Sequence, residues 1–248
     1  MNSANAAATE PLNNRPFEYP LNTESGYLIA AVEGRQLLID TGSMVTLTER
    51  SFEFVGHSLP VMENFLGFTL DGVRQGVGVP IDALVGMNVL REFDVCIDLP
   101  ASRIRLSRVP VPVRNDALQI TFNHRRPQLS MNFLHKPRAR MLFDTGAPLS
   151  FLRRDLIVGL EPVGVVEDFH PTIGPFTTQI FRMPFTLNNT TYFAEFGSLP
   201  AQLENALLAE GVDGLIGSQL IVNQPAVLAA RRSLFDIGSV GALGPRLG

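Results

Sequence analysis

One short pattern, an apolar run followed by Asp-Thr-Gly, occurs twice in this chain, at Asp40 and at Asp144. The first copy follows Leu37-Leu38-Ile39 and the second follows Met141-Leu142-Phe143, so that the copies are separated by 104 residues, from position 40 to position 144. A single Asp-Thr-Gly is usually an ordinary turn, because these residues favour turns. Two copies in matched surroundings instead predict two related halves, each with a carboxylate at the end of an apolar strand.

A second block repeats later in each half, where an apolar run reaches a glycine and a short helical stretch follows. It spans 82–90 with Gly86 in the first half and 213–221 with Gly217 in the second. The short apolar runs around these blocks have strand-like rather than helical periodicity. We expect a mainly β fold of two barrel-like lobes related by pseudo-twofold symmetry. Short helices are expected near 87–91, 201–209 and 218–222.

The organisation of the chain follows from these blocks. We predict an N-terminal arm over 1–24, either flexible or an edge strand, a first lobe over 25–111 and a second lobe over 112–248. The proline-rich stretch 109–113 would join the lobes, because proline favours extended connections. With 45% hydrophobic residues, each lobe can form a core. We also expect the chain termini to pair in a sheet beneath the cleft.

Composition argues against several classes of function. The net charge of −4 gives no basic field of the kind that binds nucleic acid. The single cysteine, Cys96, allows no intramolecular disulfide framework and no cysteine-based zinc site. The four histidines have no metal-ligand spacing, so that neither a metal nor an organic cofactor is expected. These histidines are His57, His124, His135 and His170.

The first twenty residues lack a secretory apolar core, and no stretch is long enough for a membrane span, so that a cytoplasmic protein is expected. Asn188 and Asn189 match the glycosylation pattern but are interpreted as a hairpin turn between two apolar runs. Six arginines are predicted to lie on solvated strand and turn faces: Arg125, Arg126, Arg138, Arg140, Arg153 and Arg154.

The repeated motifs resemble those of the retropepsin and pepsin class of aspartic peptidases. In that class Asp-Thr/Ser-Gly-Ser/Thr/Ala follows an apolar strand, and a hydrophobic-hydrophobic-glycine segment comes later in each lobe. The resemblance covers about 27–221, and the chain looks like a retropepsin dimer fused into one polypeptide. It implies that Asp40 and Asp144 face each other as the catalytic pair. The implied supporting residues of the two loops are Thr41, Gly42, Ser43, Thr145, Gly146 and Ala147, with the threonines bracing the loops across the axis.

Paired carboxylates suit peptide hydrolysis because two adjacent groups cannot both ionise easily and therefore share a proton. One then serves as base and the other as acid towards a water that attacks the scissile carbonyl. Which aspartate is protonated stays open. We expect an endopeptidase that acts on a peptide or protein substrate, needs no partner subunit and is active as a monomer. The alternatives are a noncatalytic peptide-binding or scaffold protein with the same fold, or a peptidase that acts on itself or on one partner and removes residues 1–20.

The two halves differ in length. From Asp40 to Gly86 there are 46 residues, and from Asp144 to Gly217 there are 73. The surplus contains 168–178, which is predicted to form a substrate-covering hairpin, or flap, with a Gly-Pro tip; a plain surface loop is the alternative. The first half has only 65–79 for this purpose, enough for one hairpin and no flap. The candidate flap residues are Phe169, Ile173, Gly174 and Phe176.

The chain also departs from the family pattern. Neither candidate segment contains the tyrosine of a pepsin flap, and Met87-Asn88 and Ser218-Gln219 stand where retropepsins carry a stabilising ion pair. The helix over 201–209 is predicted to be a packing helix peculiar to the second lobe. The four residues Leu84, Val85, Leu215 and Ile216 are assigned to the core rather than to a substrate pocket.

Overall fold

A computed structural model describes residues 15–23 and 26–238 of the chain. Most of the predicted N-terminal arm and residues 239–248 lie outside the described residues. Strands dominate the described part and form two lobes with short helices, which confirms the predicted fold class. The division into lobes at 111/112 stays a prediction.

Strands and helices of the first half lead up to Asp40 and continue beyond it to the end of the first lobe. In order they are β1 (Phe17–Asn22), β2 (Ile29–Val32), β3 (Arg35–Ile39), β4 (Leu47–Thr48), β5 (Phe52–Phe54), β6 (His57–Leu59), β7 (Asn64–Phe65), β8 (Phe68–Thr69), α1 (Leu70–Val77), β9 (Ala83–Val85), α2 (Met87–Leu90), β10 (Asp94–Asp98) and β11 (Arg103–Ser107).

The second half follows a related order with longer strands. Its elements are β12 (Leu118–Gln119), β13 (Thr121–Asn123), β14 (Arg126–Phe133), β15 (Lys136–Phe143), β16 (Ser150–Leu152), β17 (Gly164–His170), β18 (Gly174–Leu187), β19 (Thr190–Ser198), α3 (Ala201–Ala209), β20 (Gly214–Ile216), β21 (Ala226–Ala229) and β22 (Leu234–Ile237), with 3₁₀ turns at Arg154–Leu156, Ser218–Ile221 and Ala230–Arg232. The expected hairpin turn is confirmed, since Leu187 pairs with Thr190 and both intervening asparagines have positive φ.

Two large sheets contain most of the strands. One has the order β12-β22-β21-β10-β11-β1-β2-β3-β9-β4, and the other has the order β13-β14-β15-β20-β16-β19-β18-β17. The first sheet contains strands from both halves, because β21 of the second half pairs with β10 of the first. The apolar core is therefore continuous between the halves, and Phe143 of one sheet packs on Phe235 of the other with ring centroids 4.9 Å apart.

Strand β1 corrects the expectation of an edge strand, while the pairing expected of the chain termini lies outside the described residues. Strand β1 is not an edge strand, because Phe17–Pro20 pair with β11 and Leu21–Asn22 pair with β2. Strands near the two ends of the described chain share one sheet, but β1 does not pair with β21 or β22, since β10 and β11 lie between them.

Helix α1 was not predicted, because Gly72 and Gly76 disfavour a helix. Its first turn is nevertheless capped by the Thr69 hydroxyl, which accepts a hydrogen bond from the Gly72 N–H at 3.1 Å. Its buried side chains Leu70 and Val73 pack on the apolar side chains of β2, β3 and β9. Because α1 precedes β9 as α3 precedes β20, the helix over 201–209 is not peculiar to the second lobe.

The two halves build the same frame around their Asp-Thr-Gly loops. In the first half β3 runs parallel to β9, with Ile39 paired to Val85. In the second half β15 runs parallel to β20, with Phe143 paired to Ile216. Gly86 follows β9 and Gly217 follows β20. At each glycine the backbone just beyond the Asp-Thr-Gly triplet passes close by. A Cβ on Gly86 would lie 2.2 Å from the Val45 carbonyl oxygen, so that only glycine fits.

We expect Gly86→Ala and Gly217→Ala to lower the free energy of unfolding by about 1–3 kcal/mol each. The added Cβ at Gly217 would lie 2.5 Å from the Ala147 carbonyl oxygen, and a backbone atom cannot move aside cheaply. Gly164→Ala is the control, since nothing lies within 4 Å of a Cβ there and its φ is not positive. Urea denaturation measures the free energy of unfolding of all three variants. Equal losses in Gly86→Ala and Gly164→Ala would contradict a close backbone approach at Gly86.

Candidate active site

The two aspartates end equivalent strands. Asp40 follows β3 and its N–H donates to the Val85 carbonyl at 3.0 Å, while Asp144 follows β15 and its N–H donates to the Ile216 carbonyl at 3.0 Å. Strands β9 and β20 thus hold the backbone of Asp40 and of Asp144 in place. The same frame presents both carboxylates at the base of one cleft.

Thr41 and Thr145 join the two loops by a closed set of hydrogen bonds. The Thr41 N–H donates to Thr145 Oγ1 at 3.1 Å, and the Thr145 N–H donates to Thr41 Oγ1 at 3.0 Å. The Thr41 hydroxyl in turn donates to the Phe143 carbonyl, and the Thr145 hydroxyl donates to the Ile39 carbonyl, both at 2.7 Å. Both threonines are fully buried, so that no water competes for these four bonds.

The loop glycines allow the carboxylates to approach one another. A Cβ on Gly42 would lie 2.3 Å from Asp144 Cγ, and a Cβ on Gly146 would lie 2.5 Å from Asp40 Cγ. Each carboxylate therefore lies over the glycine of the opposite loop. The Ser43 N–H donates to Asp40 Oδ1 at 2.9 Å.

The carboxyl groups of Asp40 and Asp144 lie in unequal electrostatic surroundings. Burial raises the pKa of Asp40, and the nearby Asp144 charge raises this pKa further, well above its ordinary value. Burial also raises the pKa of Asp144, but the Gly146 N–H, the Asp40 carboxyl and the Arg126 charge lower it. The two carboxyl groups interact, so that they titrate as a pair that shares one proton. The Arg126 charge acts on the Asp144 side of this pair.

The cleft above the pair has a volume of about 680 Å³ and is mainly apolar. Strand alternation decides which neighbours reach it. Leu84, Val85 and Ile216 are buried in the core as predicted, and Leu84 also forms part of the cleft wall. Leu215, assigned to the core from the sequence, is half-buried and lines the cleft. First-lobe lining residues include Leu38, Phe65, Phe68, Val73 and Val77, and second-lobe lining residues include Leu142, Phe151, Leu203 and Leu207.

A long hairpin of the second lobe covers the cleft. Strands β17 and β18 pair from Gly164↔Ile180 to His170↔Gly174, and residues 171–173 form the turn. The Gly-Pro pair was expected at the tip, but Gly174 instead begins the return strand with a φ of 79°. The candidate residues Phe169, Ile173 and Phe176 line the cleft, and Phe176 packs on Phe151 with centroids 5.9 Å apart.

The hairpin tip contacts the first lobe at helix α1. A Cβ on Gly76 would lie 2.1 Å from the Phe169 ring, so that this glycine leaves the space that the ring occupies. The Tyr27 hydroxyl donates to the Gly76 carbonyl at 3.4 Å. Burial, followed by the charges of Asp168 and Asp144, raises the pKa of Tyr27 to about 12, so that its phenol stays protonated.

Tyr27 and Arg126 occupy equivalent places in the two lobes. Leu38 and Leu142 each lie two residues before an aspartate, and they pair with Ile29 and Gln128. Two residues before these partners stand Tyr27 and Arg126, which both line the cleft. Sequence reasoning missed both, because the equivalence depends on strand register rather than on residue similarity.

The Arg126 side chain is largely buried, which contradicts the prediction that it is solvated. Only 14% of the side chain is exposed, and its Nη2 pairs with the Glu210 carboxylate directly after α3. The Arg126 charge faces the cleft that contains Asp144. One lobe thus places a phenol beside the carboxylates and the other places a guanidinium.

Within residues 15–23 and 26–238, no group of three or more His, Cys, Asp or Glu side chains is placed to hold a metal ion. His170 lines the cleft, and burial lowers its pKa. No helix in the described ranges is long and apolar enough to cross a membrane.

We expect Thr41→Val to destabilise the fold strongly. Valine keeps the branched shape but removes the hydroxyl, which leaves the Phe143 carbonyl and the Thr145 N–H buried without a partner, at about 1–3 kcal/mol each. Thr41→Ser keeps the hydroxyl and loses one buried methyl group, worth about 1 kcal/mol. Denaturant unfolding measures both variants. A serine variant as unstable as the valine variant would show that packing, and not the hydrogen bonds, joins the loops.

Comparisons with known proteins complete the description of the site. No family model matches the sequence, and none of the curated proteins searched matches it. Among solved structures, the chain is similar to the aspartic proteinase from Irpex lacteus, with 11% sequence identity and a TM-score of 0.44. That match covers 92% of this chain and 98% of the other chain.

Proposed function

We propose that this protein is an aspartic endopeptidase built as a single-chain, retropepsin-like tandem, with Asp40 and Asp144 as its catalytic pair. The observation that carries the proposal is the buried carboxylate pair at the base of a covered, mainly apolar cleft. Burial and mutual repulsion favour one proton shared between the two groups, which is the state that acid–base catalysis on a water requires. Each carboxylate is positioned by backbone N–H groups and by the glycine of the opposite loop.

We assign the roles from Arg126, whose charge lowers the pKa of Asp144 and so favours Asp144 as the ionised partner. Ionised Asp144 accepts a proton from a water bound between the carboxylates, and the water oxygen attacks the scissile carbonyl carbon. Protonated Asp40 donates to the carbonyl oxygen as it gains negative charge. When the tetrahedral intermediate breaks down, the C–N bond breaks and the proton held by Asp144 passes to the leaving nitrogen. One hydroxyl group of the intermediate returns its proton to Asp40 as its oxygen becomes the carbonyl oxygen of the carboxylic acid product. The chemistry requires neither a metal nor an organic cofactor.

The cleft suits an extended peptide or protein substrate. The hairpin β17–β18 would act as the flap, with Phe169, Ile173, Gly174 and Phe176 against the substrate. The hairpin backbone can pair with an extended chain, while the apolar walls accept side chains on both sides of the scissile bond. Both carboxylates come from one polypeptide, so that a monomer suffices. A single flap is proposed, because 65–79 form a small strand pair and helix α1 instead.

Peptide cleavage tests the proposal. The purified chain is incubated with a mixed peptide library from acidic to neutral pH, with and without pepstatin, beside Asp40→Asn and Asp144→Asn. We expect pepstatin-sensitive cleavage by the wild type, and at least a 10³-fold loss in either variant, since each removes one partner of the acid–base pair. Glu53→Gln, which changes an exposed carboxyl outside the cleft into an amide, is the matched control and should retain activity.

The same experiment separates the alternatives. Cleavage that survives either substitution would reject the paired-carboxylate mechanism. Binding of library peptides without cleavage would indicate the noncatalytic peptide-binding protein. Mass spectrometry of the incubated chain would reveal removal of residues 1–20, which is the outcome expected of a peptidase that acts on itself.

The position of Arg126 predicts a shift in the pH–rate profile. Activity should be lost as the pH falls through the pKa of Asp144, because protonated Asp144 cannot act as base. The Arg126 charge lowers this pKa, so that Arg126→Gln should move the acidic limb of kcat/KM to higher pH. Arg138→Gln, at an exposed position in β15, is the control. An unchanged limb, or one moved to lower pH, would contradict the assigned ionisation of Asp144.

A further inference from the structure

A second cavity of about 680 Å³ lies where the two halves meet, and it shares no lining residue with the cleft. Its wall is unusual because four guanidinium groups converge on it from separate segments of the chain. The lining residues are Arg91, Glu92, Arg108, Phe122, Arg125, Ala230 and Arg231.

The four arginines of this pocket lack carboxylate partners. None of them forms an ion pair with a carboxylate in residues 15–23 and 26–238, although other arginines of the chain do so repeatedly. Glu92 is the one acidic lining residue, and its carboxylate lies 3.2 Å from His57 Nε2. The pocket therefore concentrates positive charge on a chain whose formal net charge is −4. Such like charges repel one another unless an anion lies between them.

Contacts within the protein hold two of the four arginine side chains, Arg108 and Arg231, in place. The Arg108 guanidinium donates to the Val55 carbonyl at 2.8 Å and lies over the Phe93 ring, 5.0 Å from its centroid. Arg231 Nη2 donates to the Arg108 carbonyl, which ties the turn after β21 to the end of β11. A ligand would therefore bind these groups with a smaller loss of side-chain freedom.

The other two arginines border the pocket from opposite halves. Arg91 directly follows α2, and Arg125 lies in the turn between β13 and β14, where its φ is 73°. Both residues are exposed, and the described structure records no hydrogen bond from either side chain. Their guanidinium groups are therefore free to bind a ligand that enters from solvent.

We propose that this pocket is a binding site for a multivalent oxyanion, of the phosphate or carboxylate type. Guanidinium groups present paired N–H donors that match two oxygens of such an anion, and four of them exceed what one monovalent ion can satisfy. The cavity has the volume of a typical small-molecule site. Because its walls come from both halves, occupation joins the halves and stabilises the fold. The site is independent of peptide cleavage.

Calorimetric titration of the full chain with pyrophosphate in low-salt buffer tests the site. We expect one pyrophosphate per chain and at least tenfold weaker binding by the double variant Arg125→Gln/Arg231→Gln. The control is Arg138→Gln/Arg182→Gln, which removes two exposed arginines outside the pocket and should leave the Kd within twofold. Pyrophosphate should also raise the Tm of the wild type and of the control. Should the first double variant fail to fold, Arg91→Gln/Arg125→Gln replaces it.

Titrations with inorganic phosphate and with citrate identify the type of anion. Binding of pyrophosphate and phosphate without citrate assigns a phosphate site, and binding of citrate alone assigns a carboxylate site. Absence of binding by all three anions would overturn the proposal. So would pyrophosphate binding that weakens equally in the pocket variant and in the control, since it would reflect general surface charge. None of these readouts depends on whether the chain cleaves peptides.

Discussion

Reciprocal hydrogen bonding between Thr41 and Thr145 is the interaction on which the candidate site depends. Each hydroxyl accepts from the opposite N–H and donates to the carbonyl that precedes the opposite aspartate. This closed arrangement fixes the separation and direction of both loops at once. The opposed carboxylates repel each other when ionised, so that without these buried bonds the loops would move apart. The identity of residues 41 and 145 is thus a structural requirement of the acidic pair.

The frame around this interaction repeats, but the surfaces attached to it do not. Equivalent strands, glycines and backbone hydrogen bonds support both aspartates. At the equivalent cleft positions, however, Tyr27 donates to the end of α1 while Arg126 pairs with Glu210 after α3. Within the described residues, a long covering hairpin is found in the second lobe and not in the first. Two chemically identical carboxylates therefore lie in unequal surroundings, because the Arg126 charge acts on the Asp144 side.

The sequence predicted what depends on local pattern. Two Asp-Thr-Gly triplets, two late glycines and strand periodicity were enough to predict the mainly β lobes and to bring Asp40 and Asp144 together. Helix α1 escaped prediction because its glycines oppose helix formation, and tertiary packing of Leu70 and Val73 outweighs that propensity. The roles of Tyr27 and Arg126 escaped prediction for another reason. They depend on the register of β2 with β3 and of β14 with β15, which no local pattern reveals.

The acidic pair also links proposed function to stability. An aspartate whose pKa is raised by folding binds its proton more tightly in the folded state than in the unfolded chain. Stability then falls as the pH rises from the ordinary aspartate pKa through the raised value, which for Asp40 is raised most. The buried pair therefore destabilises the fold least at acidic pH, where it retains one shared proton. The buried threonine bonds and the continuous core between the halves offset this cost at higher pH, so that the same contacts that align the carboxylates also keep them folded.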